Sequence, residues 1–97
     1  LMEDYRKPYI LHLFDPTRNY GGCTIAWDFC LAPQKGKMVE FTVVYCSPKD
    51  MFVRNEGYRL AMHEFDEGHT ILAPLNSGGM GVQEVQSKLA MMFEGTW

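Results

Sequence analysis

Cys23-Thr24-Ile25-Ala26-Trp27-Asp28-Phe29-Cys30-Leu31 decides how the rest of this chain is read. Cys23, Ile25, Trp27, Phe29 and Leu31 alternate with Thr24, Ala26, Asp28 and Cys30. Successive side chains of a strand point to opposite faces, so this alternation predicts a β-strand with one buried face. Ala32-Pro33-Gln34-Lys35-Gly36-Lys37 then turns the chain. Met38 to Tyr45 predicts a second strand, with Val39, Phe41, Val43 and Tyr45 on one face and Glu40 and Thr42 on the other. Two strands of similar length joined by a short link predict a hairpin.

Working outward towards the N-terminus, Asp15-Pro16-Thr17-Arg18-Asn19-Tyr20-Gly21-Gly22 reads as a turn-rich loop. Tyr9 to Phe14 reads as a short strand, and Met2 to Pro8 as a polar arm. Met2 rather than Leu1 is the expected native first residue. Towards the C-terminus, Ser47-Pro48-Lys49-Asp50 carries helix-start chemistry. Ser47 suits the cap, Pro48 the first helical position and Asp50 the acid of a capping box. A helix is predicted from Pro48 to about Asp66. Its faces would be two apolar stripes: Met51, Tyr58, Met62 and Phe65 on one, Val53, Gly57 and Leu60 nearly opposite. Asp50 and Arg54 stand in the favourable i,i+4 order. Gly57 inside a helix calls for either a close contact or a break. His69 to Ala73 reads as a short strand ended by Pro74. Asn76 to Gly81 reads as a flexible loop. Val82 to Phe93 is an amphipathic helix with Val82, Val85, Leu89, Met92 and Phe93 on its apolar side.

The order is β-β-β-α-β-α. It predicts a single compact α+β domain over residues 1–97, with a mostly antiparallel sheet of three to four strands and two helices packed on one face. Of the 97 residues, 46% are hydrophobic, which argues against a disordered chain. Nine basic against 12 acidic residues give a net charge of −3, which recruits neither phosphate nor strongly basic partners. No apolar run is long enough to span a membrane, and no signal-peptide pattern is visible. Cys23, Cys30 and Cys46 are an odd set without a C-x-x-C pair, consistent with reduced thiols in a cytosol.

Four constellations could carry chemistry. Ser77, Gly78, Gly79 and Gly81 form a candidate anion-binding loop before a helix, because backbone amides there can cradle a phosphate. The loop lacks the lysine and spacing of a phosphate-binding motif, and a plain linker is the simpler reading. His63-Glu64-Phe65-Asp66-Glu67-Gly68-His69 gathers metal-ligand types, but not at H-E-x-x-H spacing. A charged helix end explains it, and no metal or other cofactor is assigned. Cys46 or Cys30 could act as a nucleophile with His12 or His63 as base, yet nothing in the sequence sets that geometry. An enzyme is therefore not expected. The fourth is a binding surface of cations interleaved with aromatics: Lys49, Phe52, Arg54, Tyr58 and Arg59.

Ser47-Pro48-Lys49-Asp50-Met51-Phe52-Val53-Arg54-Asn55-Glu56-Gly57-Tyr58-Arg59-Leu60-Ala61 also resembles a pattern of small uncharacterised bacteriophage proteins, K-D-x-F-x-R-x-x-G-R-x-x-A after a hydrophobic strand. Lys49, Asp50, Phe52, Arg54, Gly57 and Ala61 match. Tyr58 stands where Arg is expected, with Arg59 next to it. The resemblance spans about fifteen residues and transfers no catalytic residue. It implies a viral protein of the host cytoplasm that binds a bacterial host macromolecule, usually a protein, and inhibits or redirects it. Two alternatives come from other classes. One is a nucleic-acid-binding accessory protein using Lys35, Lys37, Lys49, Arg54 and Arg59. The other is a nucleotide- or small-ligand-sequestering protein using the glycine loop. The Val53, Gly57 and Leu60 stripe could serve a partner, a homodimer or the domain's own core.

Overall fold

The computed structural model describes residues 7–32, 36–74 and 81–97, with Leu31, Ala32 and Gly36 in backbone only. The polar arm, the hairpin tip at Lys35 and the loop residues Ser77, Gly78 and Gly79 lie outside the described residues. Four strands form one sheet in the order β1-β2-β3-β4. They are β1 (Tyr9–Leu13), β2 (Cys23–Ala32), β3 (Gly36–Tyr45) and β4 (Ile71–Pro74), and every neighbouring pair is antiparallel. Helix α1 (Arg54–Asp66) follows β3, and α2 (Val82–Phe93) follows β4. The α+β class and the β-β-β-α-β-α order stand as the sequence predicts. The hairpin is tighter than expected, because Gly36 and Lys37 join the ladder opposite Ala32 and Leu31.

The helices do not share one face of the sheet. Cys23, Ile25 and Trp27 of β2 pack with Val39 and Phe41 of β3 and with Val85 and Leu89 of α2. Ala26, the alternate residue of the same strand, packs with Ala61 and Phe65 of α1, alongside Ile10 and Val44. A strand's alternate side chains lie on opposite faces, so α1 and α2 cover opposite sides. That is why all five residues from Cys23 to Trp27 are buried. The expectation of a single buried face missed the small residues Thr24 and Ala26, which are a seat for a helix rather than a solvated face. Complete burial of each large side chain here contributes about 1.5–3 kcal/mol.

Gly57 sets how closely α1 approaches. A Cβ at this position would overlap Thr24 Oγ1 and come within 3.1 Å of Thr24 Cβ. Gly57, Ala61 and Phe65 are spaced four apart and form the sheet-facing stripe. Of the two sequence-predicted stripes, Phe65 is buried, Met62 is half-buried and Tyr58 is exposed. Gly57 belongs to the core, whereas Val53 and Leu60 lie outside it.

Helix α1 also begins later than the sequence predicts. Residues 48–50 form a turn, in which Ser47 Oγ accepts from Lys49 N–H at 3.2 Å and Ser47 C=O accepts from Asp50 N–H at 2.9 Å. The capping chemistry of Ser47 is real but caps a turn. Backbone pairing with the β1–β2 loop keeps residues 51–53 extended. Gly21 N–H donates to Asp50 C=O (3.1 Å), Phe52 N–H donates to Asn19 C=O (2.9 Å), and Tyr20 bridges Met51. Those bonds compete directly with helix formation. Gly22 permits the crossing: it has φ +111°, and a Cβ there would meet Leu13 C=O at 2.8 Å and Phe52 Cδ1 at 2.9 Å. The α2 boundaries agree with the periodicity. Met92 does not join the buried stripe and is 56% exposed beside Met91 at 76%.

Candidate functional site

The segment that stays extended opens a groove between β3 and α1. Its volume is about 240 Å³, and its floor is Thr24 and Val44 with Gly57 beside them. Met51, Val53 and Leu60 line it and are 60%, 48% and 44% exposed, while Tyr45 borders it with its backbone and turns its ring to the α2 face, where its hydroxyl lies 3.2 Å from Thr96 Oγ1. Three exposed apolar side chains around one depression form a small apolar patch. Asp50 and Glu56 are the charged side chains that line it.

Of the sequence-predicted partner residues Phe52 lines the groove, whereas Lys49, Arg54, Tyr58 and Arg59 lie outside its lining. Phe52 is half-buried, stacked on Phe14 at 4.8 Å and edge-on to His12 at 5.6 Å. It is a structural pin for the extended segment as much as a contact residue. The Arg54 guanidinium lies 5.3 Å from the centre of the Phe14 ring. This stacking replaces the expected Asp50–Arg54 helical pair, since Asp50 precedes the helix. Tyr58 is half exposed, one turn beyond Arg54. Arg59 Nη2 donates to Glu56 Oε2 at 3.3 Å in a solvent-exposed pair, which holds the side chain without contributing much stability. Lys49 is exposed in the 48–50 turn.

His12 was considered only as a base for cysteine chemistry, and its position assigns it elsewhere. Its Nδ1 lies 2.9 Å from Thr24 Oγ1, under the first turn of α1. Burial, and then the nearby Arg54 charge, hold its pKa below the ordinary histidine value. Cys46 Sγ lies 3.5–3.6 Å from the carbonyl oxygens of Ser47, Asp50 and Met51. The helix that would have activated it starts only at Arg54. Cys23 is fully buried, and its thiol pKa is pushed up to about 11 by burial. No nucleophile–base pair is assembled from these groups among the described residues.

The other two constellations fare differently. His69 Nδ1 pairs with Glu64 Oε1 at 2.9 Å, which ties the end of α1 to the following turn. No group of three metal-ligand side chains converges among the described residues. Gly81, the described member of the glycine loop, donates its N–H to Glu84 Oε1 at 2.7 Å. The helix's own carboxylate thus takes one amide that an anion would need. The cations proposed for nucleic acid are also dispersed. Lys37 sits 5.9 Å over Phe29, at the far end of β3 from the groove. Lys37 and Tyr45 are eight residues apart on that strand, roughly 26 Å.

Comparison with known protein families, with curated proteins and with solved structures finds no match. No described helix is long and apolar enough to cross a membrane.

Proposed function

We propose that this is a non-enzymatic binding protein that captures a bacterial host protein in the β3–α1 groove and blocks or redirects it. The observation that carries the reading is the set of exposed Met51, Val53 and Leu60 around one depression. Apolar anchors of this size dominate protein–protein affinity when a partner desolvates them. Arg54 and Tyr58 lie outside the groove lining but on the same helix, and they add polar and aromatic contacts for a partner that extends past the anchors. The resemblance of residues 49–61 to small phage proteins supports a viral origin, a host-cytoplasm address and a host target. The mechanism is steric: affinity comes from contacts, and inhibition comes from occupying the partner's surface.

Changing Arg54 and Tyr58 together to Ala tests the reading. Partner capture should fall at least tenfold, while the melting temperature stays close to wild type because both side chains are exposed. A variant that still captures the partner with full affinity removes these two residues from the interface. A variant that unfolds assigns them to the fold instead.

A further inference from the structure

Building on that reading, we infer that the partner enters as an extended peptide strand that adds to the open edge of β3 at Thr42–Tyr45. Strand β4 pairs with β3 over Met38–Phe41 and ends there, with Ile71 opposite Phe41. No other strand among the described residues lies against Thr42–Tyr45. The direction of the backbone groups follows from one hydrogen bond. Cys46 N–H donates to Gly22 C=O at 2.8 Å, so the polar groups of Cys46 face β2. Along an antiparallel strand these groups alternate sides, so Val44 and Thr42 also face β2. Val43 and Tyr45 therefore turn their N–H and C=O groups away from the sheet, at an edge continuous with β4.

Four features make this edge a receptor. It carries none of the devices that blunt edge strands: no Lys, no Pro and no bulge in Thr42-Val43-Val44-Tyr45. The neighbouring edge strand β4 is four residues long and closes with Pro74. The open stretch is also rich in β-branched residues, which favour pairing. Finally, the edge runs beside the groove, so alternate side chains of an added strand would reach Val53 and Leu60 on the α1 side. Main-chain bonds then supply affinity and the groove supplies selection, as in other strand-addition interfaces. Asp50 lines the groove as an exposed carboxylate and Glu56 beside it is shared with Arg59, so charge complementarity calls for a strand of alternating apolar residues bearing one Lys or Arg that reaches Asp50.

The test selects binders from a displayed library of random linear twelve-residue peptides and resynthesises the tightest one. The account expects alternating apolar residues with a basic residue in the selected sequences. On binding, amide exchange should slow at Val43 and Tyr45. Val43→Pro removes an outward N–H without touching the β2 ladder, and it should weaken binding at least tenfold. The same peptide N-methylated at alternate residues should lose at least as much with the protein unchanged, which keeps the test valid if Val43→Pro misfolds. Equal binding by the N-methylated peptide, selected sequences with helical spacing, or no selected peptide would overturn strand addition. Protection of Val43 and Tyr45 in a peptide-free dimer would also overturn it, in favour of a second copy. The two readings are separable: a host protein held equally by wild type and Val43→Pro keeps the binding reading and removes strand addition, whereas selected peptides that bind through Val43 and Tyr45 with no host protein captured keep strand addition and remove the host target.

Discussion

At the scale of single residues, Gly57 and Thr24 form the pair on which the α1 face depends. Gly to Ala in a solvated helix normally stabilises by about 1 kcal/mol. Here the added methyl would overlap the Thr24 hydroxyl, so Gly57→Ala should destabilise by about 1–3 kcal/mol, as overpacked contacts do. Denaturant unfolding of the variant measures the sign, and a gain in stability would show that α1 does not sit on Thr24. His12 gives a pH dependence at the same place. The folded state holds its pKa below 6.5, so the unfolded chain binds the proton more readily. Its contribution is then fully present above about pH 6.5 and is lost as pH falls from there, levelling off once the folded form also titrates. Relative to His12→Gln, the wild type should therefore lose melting temperature between pH 7.5 and 5.5. Parallel pH series of the two proteins would contradict the placement of His12 under α1.

At the scale of elements, what was legible in the sequence was whatever depends on local pattern. Period two marked β2 and β3, and the 3.6-residue period marked α2 to its observed ends. The start of α1 was misread because Ser47 and Pro48 are equally good at opening a turn. Distant backbone partners, Asn19 and Gly21, hold residues 51–53 extended, and nothing local in the sequence announces them. The candidate site is half legible for the same reason. Arg54 and Tyr58 stand out as exposed helix residues but lie outside the groove lining. The groove exists only because the 46–53 segment is not helical, so Met51 could not be foreseen as its lining. Gly57 carried the one available signal: a glycine in a helix, opposite small residues in a strand.

At the scale of the whole molecule, an antiparallel meander with one helix on each face buries β2 on both sides and leaves asymmetric edges. The chain commits its apolar residues unevenly. Trp27, Ile25 and Phe41 serve the core, while Met51, Val53 and Leu60 remain at the surface around one depression and Ile71, Leu72 and Met91 are exposed away from it. Under the proposed function that patch serves capture, because exposed apolar groups raise the risk of aggregation unless a partner covers them. A net charge of −3 gives phosphate no general attraction to the chain.

The most direct test is affinity capture from bacterial lysate by the wild type and by Leu60→Glu, each with and without nuclease. Leu60 is exposed, so the variant should fold with a melting temperature near that of the wild type. The account predicts one host protein at stoichiometric yield on the wild type, unchanged by nuclease and lost from Leu60→Glu. A capture that survives in Leu60→Glu, or that disappears with nuclease, would contradict a protein-binding groove between β3 and α1.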